Sequence, residues 1–573
     1  VFSRARALGI ALLLPFALSV VAQAASPLDN PVNVDNKRLL KGTEDTRQWS
    51  HYGGSYNEQR FSPLKQINSQ NIKSLGLSWY ADYDTNQNQH GSPLYVDGVI
   101  YVSTARNVVH AFDAKTGKRL WTYNPIITGV RLRSNLGLVN RGIAAYDGKI
   151  YMGTLDARLI AIDAKTGKAA WETDTVPASL NLGAMGEKYS ITMAPRVAKG
   201  KVFIGGSGGE FGVRGFIAAY DAKSGKEVWR FWTVPGDPAK GPPEGKHLQA
   251  ALNTWPKDIE YWKQGAGGTV WDAALYDPVT DLLYFGTGNG TPWNREMRDP
   301  GDGDNLYVAS IIAVNPDTGE YVWHYQETPG ESWDYDAVSP MMTADVTISG
   351  QKKHVILHPS KNGLMYVLEG KTGKLISGDA FTGVTWASGV DMKTGRPIEV
   401  PGARYEKEPF NIGPGAPGGH TWHPNAYSPE TGLIYIPTWE NYAAMTPQVR
   451  PTDGSPPPLI AFGGRVDRAT LKPHNKQAND GWLQAWDPVA RKAVWETKRG
   501  PRATSGVLAT AGNVVFMGNS NGNELAAYDA KTGDKLWAFN AQTAVYAAPI
   551  TYELDGVQYI AASVGGTGQG DYF

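Results

Sequence analysis

The sequence predicts an all-β fold, an eight-bladed β-propeller. Three observations carry this: a recurring strand–turn–strand phrase, a tryptophan that closes most copies, and a composition rich in turn and aromatic residues. The phrase reads "AFDAKTGKRLW" (111–121), "AIDAKTGKAAW" (161–171), "AYDAKSGKEVW" (219–229), "AVNPDTGEYVW" (313–323) and "AYDAKTGDKLW" (527–537). Weaker copies lie at 367–376, 426–436 and 485–495, and a degenerate one at 274–285. In each, Asp-x-x-Thr-Gly reads as a turn whose glycine supplies a positive φ. The terminal tryptophan is placed to dock between neighbouring sheets. Upstream strands such as "GVIYVST" and "GKIYMGT" complete units of about 40–50 residues, the period of a propeller or array. The 66 glycines and 19 tryptophans suit many tight turns between short aromatic strands.

Other elements follow in chain order. Arg4 and Arg6 precede the apolar run 7–21, and Ala22-Gln23-Ala24 forms a small-x-small site. This predicts an export signal over 1–24, cleaved after Ala24 or Ala25, and a periplasmic location. Residues 25–573 then form one domain. Stretches 234–265 and 440–480 read as insertions on one face. Lys+Arg and Asp+Glu are both 55, so no basic stripe points to nucleic acid. Cysteine is absent, which excludes disulfides, thiolate metal sites and a CxxCH haem attachment within these residues. The expectation from this is a cofactor held without thiols, and no haem.

The chemistry-bearing residues sit at strand ends. "GSGGEFGVRG" (206–215) carries Glu210, "GGTVWDA" (267–273) carries Thr269 and Trp271, and "YFGTGNGTPWN" (284–294) carries Asn289. "ESWDYDAV" (331–338) carries Asp334 and Asp336, and "LHPSKNGLMYVL" (357–368) carries Lys361. Each alone reads equally as turn chemistry. Brought together on a propeller axis, they form a hard oxygen cage beside a lysine. Read as a strand, 334–336 points both aspartates to one face. His420 and His423 read as packing residues rather than ligands, because no helix pattern surrounds them.

These motifs, with "VNRGIA" (139–144) and "SITMAP" (190–195), occur in the order and approximate spacing of one family. The chain resembles the pyrroloquinoline quinone (PQQ) dependent alcohol dehydrogenases of the methanol and ethanol dehydrogenase type, across essentially the whole predicted domain. The resemblance implies that Trp271 is the floor on which the quinone stacks. It implies that Arg141, Thr192, Ser207, Gly208, Gly209, Thr269 and Lys361 hold PQQ, that Glu210, Asn289, Asp334 and Asp336 hold one metal ion, and that Asp334 and Lys361 are catalytic. Asp334 would take the alcohol proton as hydride passes to the quinone. Calcium members commonly have Ala at the position of Asp336 and lanthanide members Asp, so the resemblance favours a lanthanide, with calcium as the other candidate. The implied partners are a small-molecule alcohol and a soluble cytochrome c or similar acceptor; a homodimer is compatible.

Departures bear on substrate. Asn135 and Leu136 stand where the family usually has two adjacent cysteines, His90 where Glu is frequent, and Thr504 where many relatives have Trp; the sequence ends at "GGTGQGDYF". These imply an open site and an alcohol bulkier than methanol, primary or secondary. The rival readings are a non-catalytic periplasmic scaffold and an inactive family member.

Overall fold

The computed structural model describes residues 27–42, 45, 47–128, 138–453, 455–460, 479–501 and 504–566. Residues 1–24, read from sequence as an export signal, the pair Asn135–Leu136 and the last seven residues lie outside them. Among the described residues, seven sheets of four or five strands follow one another and form the blades of a propeller. Blade 1 spans 94–123, blade 2 144–174, blade 3 196–232, blade 4 274–326, blade 5 342–380, blade 6 426–501 and blade 7 507–540. A two-stranded hairpin, Ile550–Leu554 with Val557–Ala561, lies between blades 7 and 1, where Tyr552 stacks on Tyr95 at 4.0 Å.

The expected count of eight blades is therefore corrected to seven. Seven copies of the repeat phrase join third and fourth strands. The copies at 274–285 and 426–436 are instead the first hairpins of blades 4 and 6. Turn chemistry cannot tell one hairpin of a blade from the other.

The repeat's residues do what their types dictate. Asp113 Oδ1 accepts hydrogen bonds from Lys115 N at 3.0 Å and from Thr116 N and Oγ1 at 2.8 Å, closing the turn on its own backbone. Gly117 has φ +72, and a Cβ there would come 2.6 Å from the Trp79 ring, so only glycine fits. The docking tryptophans cross from blade to blade. Trp121 Nε1 donates to Ala164 O at 2.9 Å, Trp229 to Pro316 O at 3.1 Å and Trp495 to Ala530 O at 3.1 Å.

Burial orders the strands. The first strands of blades 1, 3, 4, 6 and 7 are buried throughout, while fourth strands such as Ala169–Asp174 alternate with solvent. First strands thus line the axis. Their N-terminal ends share one rim with the C-terminal ends of the second strands.

Beneath that rim the axis is filled by residues 49–62. Arg60, 1% exposed, donates to Tyr52 O at 2.7 Å, Pro549 O at 2.9 Å and Val507 O at 3.0 Å. Carbonyls of Asn57, Gln59 and Arg60 accept from Thr343 of blade 5, Tyr427 of blade 6 and Ala509 of blade 7. Glu58 pairs with Arg196 of blade 3 at 2.5 Å. Phe61–Ser62 adds a parallel strand to blade 7.

Candidate active site

The rim gathers the strand-end residues. Arg141 and Thr192 precede the first strands of blades 2 and 3, Thr269 and Trp271 that of blade 4, and Asp334 and Asp336 that of blade 5. Ser207 to Glu210 follow the second strand of blade 3, Asn289 that of blade 4, and Lys361 that of blade 5.

One group centres on Lys361. Its ammonium lies 2.8 Å from Asp334 Oδ2 and 2.7 Å from Asp336 Oδ2. Burial opposes its charge, but the two carboxylates outweigh that and raise its pKa. Burial drives Asp334 well above the usual carboxylate range, with Asp336 and Glu210 adding to the rise against Lys361. Glu210 is pushed up to about 7 by burial and by Asp336. Asp336 Oδ1 accepts from Asn289 N at 2.8 Å.

Three buried oxygens here accept no hydrogen bond: Thr269 Oγ1, Asn289 Oδ1 and Asp334 Oδ1. The first two face a common space, since a Cβ at Gly209 would stand 3.2 Å from Thr269 Oγ1 and 3.3 Å from Asn289 Oδ1. Carboxylates and bare oxygens among desolvated charges suit a hard cation. Among the described residues no three acidic or imidazole side chains converge as a finished cage. The Lys361 ammonium stands between the aspartates instead.

The strand reading of 334–336 is corrected. The segment is a loop, and Asp334 adopts φ +68. A left-handed non-glycine residue costs of order 1 kcal/mol and persists where its surroundings enforce it. Those surroundings come from the excursion between blades 5 and 6. Trp333 Nε1 donates to Ala403 O at 2.9 Å, the Tyr335 hydroxyl to Pro414 O, and Tyr405 to Ser332 O at 2.5 Å.

The second group is flat and cationic. Arg141 lies 4.8 Å from the Trp271 ring and 5.2 Å from the Trp422 ring. Its Nη1 donates to Thr192 Oγ1 at 2.6 Å, which sits 2.9 Å from Ser207 Oγ. Gly208 has φ +120, and a Cβ there would come 2.9 Å from Lys188 O. An indole face beside a guanidinium and hydroxyls suits a planar, carboxylated ligand.

Some participants carry no sequence signal of their own. Trp422 was visible only as the aromatic between His420 and His423. Asp272, 3.8 Å from Arg141, was hidden behind Trp271. Glu331 binds backbone only. The histidines pack as expected: His420 Nδ1 donates to Pro437 O at 3.0 Å, and His423 stacks on Trp422 at 3.9 Å. Burial lowers His420 to about 3 and holds His423 well below its ordinary value. His90 sits edge-on to Trp422, and Thr504 is buried, bonded through its amide to Ser520 Oγ at 3.2 Å.

The described residues thus form a propeller whose rim carries a buried charged group and a guanidinium beside two indole rings. The family described as "PQQ: Glucose/ethanol/alcohol dehydrogenase, beta-propeller domain" matches residues 49–378 and 469–560. The chain is 47% identical over 544 residues to the quinohemoprotein alcohol dehydrogenase ADH IIB of Pseudomonas putida, covering 94% of this chain and 77% of that relative. The solved quinohemoprotein alcohol dehydrogenase of Comamonas testosteroni superposes with a TM-score of 0.85 at 43% identity, covering 93% of this chain and 79% of the other. A solved europium-containing methanol dehydrogenase gives 0.81 at 35%, covering 92% and 91%. The chain belongs to the PQQ-dependent alcohol dehydrogenase family.

The expectation of no haem is overturned by these relatives. Two are quinohemoproteins by name, and each extends beyond the region matched here. The missing CxxCH speaks only of covalent attachment within these 573 residues, so cysteine counting could not exclude a haem.

Proposed function

We propose that this protein oxidises an alcohol to an aldehyde or ketone, with Asp334 as general base, in the periplasm. The observation that carries it is the juxtaposition of Asp334, Asp336 and Lys361 beside three bare buried oxygens.

Bound PQQ would supply the ortho-quinone that accepts hydride. A bound metal ion would supply a Lewis acid. Trp271 would be the quinone's floor, and Arg141, Thr192, Ser207, Gly208, Gly209 and Thr269 would hold its polar edge. Glu210, Asn289, Asp334 and Asp336 would hold the metal. Lys361 would oppose the protonation that burial favours at Asp334, and donate to the quinone oxygens. Asp334 would accept the alcohol proton at Oδ1, the oxygen with no hydrogen bond.

The ion we favour is a lanthanide. Glu210, Asp334 and Asp336 lie on one rim, and the europium-containing relative shares 35% identity over 92% of this chain. The substrate we favour is bulkier than methanol. The acceptor would be a haem protein such as a cytochrome c.

The test is reconstitution of metal-free protein with PQQ plus La³⁺ or Ca²⁺, followed by dye-linked oxidation of small and large alcohols. Activity with La³⁺ and a large alcohol is the expected result. Activity with Ca²⁺ alone refutes the metal choice, and a strong preference for methanol refutes the substrate size. No PQQ absorbance would return the protein to the scaffold reading, and absorbance without turnover to the inactive one.

A further inference from the structure

We infer that Glu331 is a positioning residue that sets the separation of Asp334 and Asn289. This rests on the reading of Asp334 as the base. The Glu331 side chain is fully buried. Its Oε1 accepts from the backbone N–H of Trp333 and, at 2.9 Å, from that of Tyr335. Those two amides flank Asp334. Turning both onto one oxygen obliges the residue between them to reverse the chain, and Asp334 duly sits at φ +68. Its side chain is thereby sent away from Glu331 and onto Lys361, 2.8 Å distant.

The other oxygen reaches a different loop. Glu331 Oε2 accepts from Gly290 N at 3.3 Å. Gly290 follows Asn289, whose own N–H is held by Asp336 at 2.8 Å. One six-residue segment, 331–336, thus clasps the Asn289 turn through a carboxylate at each end. Two of the three bare oxygens of the site, Asp334 Oδ1 and Asn289 Oδ1, belong to the loops that Glu331 ties together. Arg298 stabilises the clasp from behind, its Nη2 donating to Glu331 O at 2.6 Å. Nothing in Glu331 reaches the bare oxygens itself, so its influence is geometric.

The experiment compares wild-type holoenzyme with E331Q and E331A. Glutamine keeps the shape and one oxygen, but its amide meets the Gly290 N–H donor to donor, so the two loops part while each survives. We expect E331Q to lower kcat about tenfold with KM for the alcohol unchanged, and E331A to lower it about 100-fold or more, with PQQ absorbance retained. Peptides covering 286–291 and 331–337 should exchange amide hydrogens faster in E331Q. A kcat equal to wild type, or a change confined to KM, overturns the inference. If E331A fails to fold, E331Q decides alone. If wild-type holoenzyme oxidises no alcohol, the base reading fails separately. Exchange then decides: faster in both peptides supports the clasp, unchanged overturns it.

Discussion

Lys361 and Asp334 form a buried ion pair at 2.8 Å, in which only one oxygen of the aspartate is engaged. Lys361 works against the rise that burial imposes on the carboxylate, whose other oxygen accepts no hydrogen bond. That is what a general base requires in a dry site, and it makes the two aspartates of the segment separable by experiment.

Replacing Asp334 by Asn preserves volume and removes the proton acceptor. Turnover should fall by about 10²-fold or more. PQQ absorbance should persist, because no proposed floor or edge contact is touched. Retained turnover would end the base assignment.

Asp336 has both oxygens engaged, by Lys361 and by Asn289 N–H. Asp336→Ala should leave PQQ bound but weaken La³⁺ support of activity more than Ca²⁺ support. The check is the ratio of the two reconstituted activities. A ratio equal to wild type would remove Asp336 from metal selection.

Gly418 abuts the lysine. A Cβ there would stand 2.2 Å from Lys361 Cγ, at φ +81. Gly418→Ala should therefore displace Lys361 and cut turnover about 10- to 100-fold. Gly432→Ala is the control, because Gly432 has φ +70 with nothing within 4 Å. It should cost about 1 kcal/mol of stability and leave turnover intact.

Arg60 joins three carbonyls from three parts of the chain. Lysine has one donor head and cannot span them. Arg60→Lys should destabilise by about 2–4 kcal/mol, read as a lower denaturant midpoint. An unchanged midpoint would show that the axial segment is not stabilising.

On the opposite end of the axis, His354 bridges Asp277 at 3.0 Å and Asp345 at 2.7 Å, with Lys352 on Asp345 at 2.8 Å. Burial would lower the imidazole, but the two carboxylates raise it above its ordinary value. A raised folded pKa stabilises fully below the unfolded value of about 6.5, and the benefit is lost as pH climbs through the folded one. The thermal-midpoint gap between wild type and His354→Gln should narrow from pH 6 to pH 9. A constant gap would sink this.

The repeat was legible because Asp-x-x-Thr-Gly marks a tight hairpin turn and the terminal Trp docks on the next blade. The blade count was not, since the hairpins at 274–285 and 426–436 use the same turn chemistry inside blades. Lys361, Asn289 and Glu210 were legible as strand-end polar residues. The convergence of Asp334 and Asp336 was foreseen for the wrong reason: a left-handed loop, not a strand, brings them together. Glu331 was invisible because a carboxylate that binds backbone amides leaves no pattern. The axial segment 49–62 escaped for the same reason, as its partners are carbonyls and amides hundreds of residues away.

That segment also presents a surface to the opposite face of the propeller. A cavity of about 340 Å³ on the far side, lined by Ser55, Tyr56, Asn57 and Gln59 together with Asp277 and His354, ends against it. This cavity shares no lining residue with the rim site. Residues that precede the first blade thus tie blades 3, 5, 6 and 7 to one another around the axis.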